Sequence, residues 1–167
     1  AGGSAGAGGT PSVCSSVCQK MDQAQCPNDE PYSACFAGCQ IDVASYQAQC
    51  GAQVQSWLGC AMGPGKVVCT SDGDSRVTGC TSQLVSFVAC AGCIPSTGDD
   101  ACDACTKSSC CTQLDALYAH PQFTPYLTCV YACTTQQCEN ACYVQHSGIQ
   151  PAITQLLQCQ GSNCASC

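Results

Sequence analysis

Apolar side chains recur at spacings of three and four along most of this chain, the period of helices buried on one face. The longest stripe is Tyr32, Cys35, Cys39, Val43, Tyr46, Cys50, Val54, Trp57 and Ala61. Pro31 precedes it at a favourable first-turn position. Gly51 is a point of interruption, and Gly63-Pro64-Gly65 ends the run. An earlier stripe, capped by Ser12, carries Val13, Cys14, Val17, Cys18 and Met21. Ser71 to Ser75 reads as a turn, and a further helix then carries Val77, Cys80, Leu84, Phe87, Val88 and Ala91. Gly92 to Asp100 is the strongest internal boundary. Helical segments follow near Ala101–Ala119, Pro125–His146 and Pro151–Gln158, with Gly148 and Pro151 punctuating the last two.

The fold class this predicts is all-α: small disulfide-stapled helical hairpins or bundles in two units, residues 12–91 and 92–167. Residues 1–11 precede them as a Gly/Ala/Ser-rich arm or spacer. Ala1, Gly2, Gly3, Ser4, Ala5, Gly6, Ala7, Gly8, Gly9 and Thr10 carry almost no side chain to bury, a linker-like composition. A chain beginning at Ala1 without Met leads to the expectation of a processed mature form. An internal echo relates the units. Pro31-Tyr32-Ser33-Ala34-Cys35, with Cys39 beyond, matches Pro125-Tyr126-Leu127-Thr128-Cys129 with Cys133 beyond. Duplication, convergence and chance over nine positions each account for it.

Cysteine changes the picture most. There are 22 in 167 residues, an even number and far above the usual level. Leu, Ile, Val and Phe together make only about 15% of the chain, too little apolar surface for an unaided core. Cross-links must supply the rest, and such frameworks persist in oxidising compartments. Cutting at the boundary leaves ten cysteines before it and twelve after, so each unit can pair internally.

The spacings suggest how. Cys14/Cys18, Cys35/Cys39, Cys129/Cys133 and Cys138/Cys142 are C-x3-C pairs, each placing two sulfurs on one helix face. Two antiparallel helices bearing such pairs can be joined at two rungs, so Cys35 and Cys39 are expected to meet Cys14 and Cys18. Cys50/Cys60 and Cys80/Cys90 are C-x9-C pairs suited to the same ladder, Cys60 with Cys80 and Cys50 with Cys90. Cys26, Cys69, Cys93, Cys102, Cys105, the Cys110-Cys111 doublet, Cys159, Cys164 and Cys167 complete the set. Free thiols are not expected.

The stretch from Cys50 to Cys90 is similar to the twin C-x9-C helical hairpins of the coiled-coil–helix–coiled-coil–helix family, a likeness of geometry rather than function. The wider arrangement resembles cysteine-rich surface proteins and lipoproteins of myxobacterial type. Its matching features are the Gly/Ala-rich spacer, Cys102-x2-Cys105-x4-Cys110-Cys111, Cys129-x3-Cys133-x4-Cys138-x3-Cys142 and Cys159-x4-Cys164-x2-Cys167. That resemblance implies export or surface display and no particular activity.

Charge and chemistry mainly exclude. Four cations, Lys20, Lys66, Arg76 and Lys107, are scattered singly against eleven acids, a net charge of −7. No basic patch exists to neutralise a phosphate backbone, so nucleic acid is not expected as a partner. No apolar run is long enough to span a membrane. Cys90/Cys93, Cys102/Cys105 and Cys164/Cys167 have the C-x2-C spacing of zinc sites, and many thiolates can store Cu(I). Against zinc, the pairs sit among sixteen other cysteines with no ribbon-like turn glycines around them. Against copper storage, secretion would oxidise the thiols before metal arrived. No pair is followed by His, which excludes C-x-x-C-H haem attachment. His120 and His146 fall at predicted helix ends, where a cation favours the dipole. Asp72 and Asp74 suit an Asx turn better than a calcium loop. No G-x-S-x-G occurs.

The chain is therefore read as non-enzymatic, without metal, cofactor or identifiable small-molecule ligand. The leading expectation is an extracellular or cell-surface structural subunit of a filament, sheath or matrix. Its partners are copies of itself, with residues 1–10 as an arm docking on a neighbour. A monomeric binding module on a flexible spacer is the alternative, and thiolate metal storage the next. Tyr118, Phe123, Tyr126, Tyr131 and Tyr143, concentrated in the second unit, serve either a contact surface or ordinary packing.

Overall fold

A computed structural model describes residues 10–165 and 167. Nine of the ten candidate arm residues, 1–9, lie outside the described residues. The tenth, Thr10, already belongs to helix α1 (Thr10–Ala24), so the helix begins ahead of the Ser12 cap expected from sequence. The chain continues with α2 (Tyr32–Met62), strands β1 (Lys66–Cys69) and β2 (Ser75–Thr78), and α3 (Thr81–Ala91). The second half holds α4 (Ala101–Ser109), α5 (Cys111–Tyr118), α6 (Phe123–Tyr131), α7 (Gln136–Gln145), a short 3-10 turn (Ser147–Ile149) and α8 (Gln150–Asn163). Among the described residues the architecture is helical and disulfide-stapled, with one small sheet.

The apolar stripe of α2 explains the first half. Val43, Tyr46, Cys50, Val54, Leu58 and Ala61 are buried along one face, and Val17 from α1 and Val77 from β2 close over it. Two rungs, Cys14–Cys39 and Cys18–Cys35, join α1 to the start of α2. Two more, Cys50–Cys90 and Cys60–Cys80, join the end of α2 to α3. Reversed order within each set makes both pairs antiparallel. Helix α2 bends at Cys50, whose backbone leaves helical values (φ −121°, ψ 22°) one residue before Gly51.

Two sequence expectations need correction here. The region between α2 and α3 is an antiparallel hairpin, pairing Val67 with Val77 and Cys69 with Ser75, and not a bare turn. Val77 consequently lies in a strand, and α3 starts only at Thr81. Cys26–Cys69 anchors the hairpin to the α1–α2 link.

In the second half the expected 101–119 and 125–146 helices are each divided in two. Cys110 (φ −119°, ψ 21°) separates α4 from α5, and Thr135 caps a new helix by accepting from the Cys138 amide at 3.3 Å. Three bridges, Cys102–Cys167, Cys105–Cys164 and Cys110–Cys159, fasten α4 and its end to α8 and the residues after it. Cys93–Cys111 ties the interunit loop to α5. Cys129–Cys142 and Cys133–Cys138 join α6 to α7. The echoed segments thus form two-rung hairpins in both halves. In the first the partner helix precedes the motif, and in the second it follows.

All 22 cysteines are bridged, and no bridge crosses between Cys90 and Cys93. Packing does cross. Val85 and Val88 of α3 lie against Leu117, Phe123 and Ile149 of the second half, so α3 serves both. Arg76 of β2 also reaches across. Its guanidinium donates to the Val130 carbonyl at 2.8 Å, lies over the Tyr131 ring at 4.8 Å and stands 3.6 Å from Glu139. Among the described residues no helix is long and apolar enough to cross a membrane.

Candidate functional site

Where the halves meet, five elements converge on a cleft of about 350 Å³. Helical spacing places the contributors. Asp42 and Tyr46 on α2, Asp103 and Lys107 on α4, and Leu114 and Tyr118 on α5 are each four residues apart, hence on one face. Phe87 and Val88 of α3 complete the apolar wall, and Gly98 and Asp99 come from the interunit loop.

Lys107 organises the cleft. Its ammonium donates to the Tyr46 hydroxyl at 2.7 Å and forms an ion pair with Asp99. Its side chain is 15% exposed and that of Asp99 is 7% exposed, so the charges depend on one another. Asp99 also accepts from the Ser96 amide at 2.7 Å. Burial pulls the Lys107 ammonium towards a lower pKa, but hydrogen bonds to Asp99 and Tyr46 outweigh it and hold the value above the ordinary lysine range. Burial likewise raises Asp99, yet the hydrogen bonds from Lys107 and Ser96 leave its carboxyl below the usual range. A lysine held in its charged form is neither a base nor a nucleophile.

The other acids differ. Asp42 stands on the exposed rim, and desolvation on its cleft side pushes its carboxyl up, against the opposing charge of Lys107. Burial also raises the Tyr118 phenol. With Lys107 matched by Asp99, Asp42 and Asp103 leave the cleft net negative, beside the aromatic side chains of Tyr46, Phe87 and Tyr118. Such a lining can hold a small cation, by carboxylate pairing and by ring faces.

Gly92 ends α3 at this wall because no larger residue fits. A Cβ there would stand 2.4 Å from Tyr118 Cε2 and 2.9 Å from the Val88 carbonyl oxygen. We expect Gly92→Ala to cost about 1–3 kcal/mol through overpacking. Denaturant titration with native bridges intact measures this, and an unchanged midpoint would contradict the close packing.

The residues singled out by sequence are placed as follows. No C-x2-C pair closes on itself: Cys90 joins Cys50, Cys102 joins Cys167, and Cys105 joins Cys164. The neighbouring Cys110 and Cys111 go to different partners. His120 follows α5 and accepts from the Gln122 amide at 3.2 Å, while His146 is the C-cap of α7. Asp72 and Asp74 sit in the β1–β2 turn, where Asp74 O accepts from Thr70 N at 2.8 Å. Of the second-half aromatics Phe123 is buried, Tyr118, Tyr126 and Tyr131 are half-buried, and Tyr143 is 39% exposed. Sequence reasoning read Lys107 only as a scattered cation and did not single out Asp42 or Asp99. The available signal was Asp103-x3-Lys107 directly after an Asp99-Asp100 cap. In comparisons with known proteins, no family model, no curated protein and no solved structure matches this chain.

Proposed function

We propose that this chain is a non-catalytic extracellular module that binds a small organic cation in the cleft between its halves. The eleven bridges are those of a protein of an oxidising compartment. The observation that carries the binding reading is the cleft itself. Separately stapled units flank a negative, aromatic-walled space whose one lysine is already neutralised. Preformed sites of this kind bind without an ordering cost in the body around them.

Calorimetric titration with tetramethylammonium and spermidine tests this. Binding is expected for at least one, weakened about tenfold in Asp42→Asn by loss of one charge contact, an effect of about 1.4 kcal/mol. Because the Asp42 carboxyl is raised, affinity should fall on acidification earlier than for an ordinary carboxylate. No heat with either amine, or binding indifferent to Asp42→Asn and to pH, removes the reading.

The assembly-subunit reading, with residues 1–10 docking on a neighbour, is supported by a different observation. Val144 is 72% exposed and Leu157 59% exposed on helices α7 and α8, and a stapled body has little freedom to bury them by rearranging. Sedimentation under native, non-reducing conditions separates the two. A sharp monomer supports the cleft reading, and a large regular assembly lost on removing residues 1–10 supports the other. Thiolate metal storage gains no support, since every cysteine is spent in a bridge.

A further inference from the structure

Two bridges of the α6–α7 hairpin touch one another. Cys133 Sγ lies 3.6 Å from Cys142 Sγ, a van der Waals contact between sulfurs of different bridges. The sulfurs of Cys133, Cys138 and Cys142 all lie within 4.8 Å of one another. Their surroundings are unequal. Cys138 is exposed and Cys129 half-buried, whereas Cys133 is 1% and Cys142 2% exposed. The Cys133–Cys138 rung spans five residues around a turn whose Thr134, Thr135, Gln136 and Gln137 are all exposed. Cys138 is therefore the sulfur of this rung open to an external nucleophile, with Cys133 and Cys142 enclosed behind it.

We propose that this hairpin is a thiol-capture site that reacts with small-molecule thiols by a two-step exchange relay. An incoming thiolate attacks Cys138 Sγ, forming a mixed disulfide and breaking Cys138–Cys133, whose bonding pair leaves on Cys133. The Cys133 thiolate is then generated in a dry position, already in contact with Cys142 Sγ. It attacks that sulfur, forming Cys133–Cys142 and expelling Cys129 as the thiolate. Burial disfavours the charged form of a thiol, so moving the charge from buried Cys133 to half-buried Cys129 runs downhill. One thiolate is consumed and one released, the disulfide count is unchanged, and no oxidant or reductant is required. The capture step marks Cys138, and the relay carries its consequence to the far rung.

The test uses the intact protein and reduced glutathione at neutral pH, quenched with N-ethylmaleimide and mapped by mass spectrometry after digestion in acid. The expected product carries glutathione on Cys138, a Cys133–Cys142 link and maleimide predominantly on Cys129. In the double variant Cys129→Ser with Cys142→Ser the second step has no target, so maleimide should move to Cys133. Maleimide on Cys133 with Cys129–Cys142 intact in the wild type overturns the relay. Cys138 left unmodified overturns the capture site, whichever other bridges open.

Discussion

Reduction and alkylation of the eleven bridges should unfold this protein, with loss of the helical circular dichroism and of any cooperative thermal transition. The argument rests on the size of two opposing terms. The core is small, and its first-half cluster consists of a few Val, Leu, Ala and Tyr side chains interleaved with half-cystines. Domains of this size are stable by only ~5–15 kcal/mol, whereas each native bridge typically contributes ~2–4 kcal/mol. Even with strong non-additivity among nested loops, losing all of them exceeds the total. The bridges should not be equal. On loop entropy alone, Cys133–Cys138, with a separation of 5, supplies about 2 kcal/mol, and Cys102–Cys167, with a separation of 65, about 4 kcal/mol. A reduced, alkylated chain that still melted cooperatively would show that apolar packing alone holds the fold.

Lys107→Ala should be among the more damaging single substitutions outside the cysteines, at about 2–3 kcal/mol, because it strands a largely enclosed carboxylate. Asp99 would keep only the Ser96 amide, and Tyr46 would lose its donor. Lys107→Met together with Asp99→Asn should recover most of the loss, since the stranded charge is then gone. Linkage gives a second readout. Asp99 has a lowered pKa, so its contribution is present above the ordinary value of 3.8 and fades as pH falls through the folded-state value. Lys107 has a raised pKa, so its contribution is present below 10.5 and fades as pH rises through the folded-state value. The wild type should thus lose stability at both extremes, and Lys107→Ala should lack the alkaline limb. Denaturant midpoints across pH decide it, and a loss below 1 kcal/mol would mean the pair is solvated in practice.

The rungs of α1, α2 and α3 were legible because a C-x3-C or C-x9-C pair on a helix fixes both the face and the separation of its sulfurs. Given antiparallel neighbours, only one register joins Cys50, Cys60, Cys80 and Cys90 without strain. The β hairpin was not legible, since four-residue strands are too short to show alternation. Val77, Cys80 and Leu84 also mimic helical spacing, and what breaks it is Gly79, at a φ of +81°. Neither Gly nor Pro marks the break at Cys110, which arises where α4 and α5 meet at a half-cystine tied to Cys159. The cleft was hidden for a related reason. The partners of Lys107 lie on the loop ahead of its own helix and on α2, 61 positions away, so an enclosed organising cation read as a scattered lone charge.

The partition of the bridges sets an order for oxidative folding. In a chain that emerges amino end first, every cysteine up to Cys90 finds its partner among those already outside. Five rungs can close before Cys93 appears, and no thiol of the first unit has to be held in reserve for the second. Cys102 is in the opposite position. It must stay unpaired while nine later cysteines pass, waiting for Cys167. The first unit can therefore close its bridges as a finished body while the second is still emerging. The second stays open to mispairing until Cys167 arrives, and an oxidative-folding helper would have most to do there.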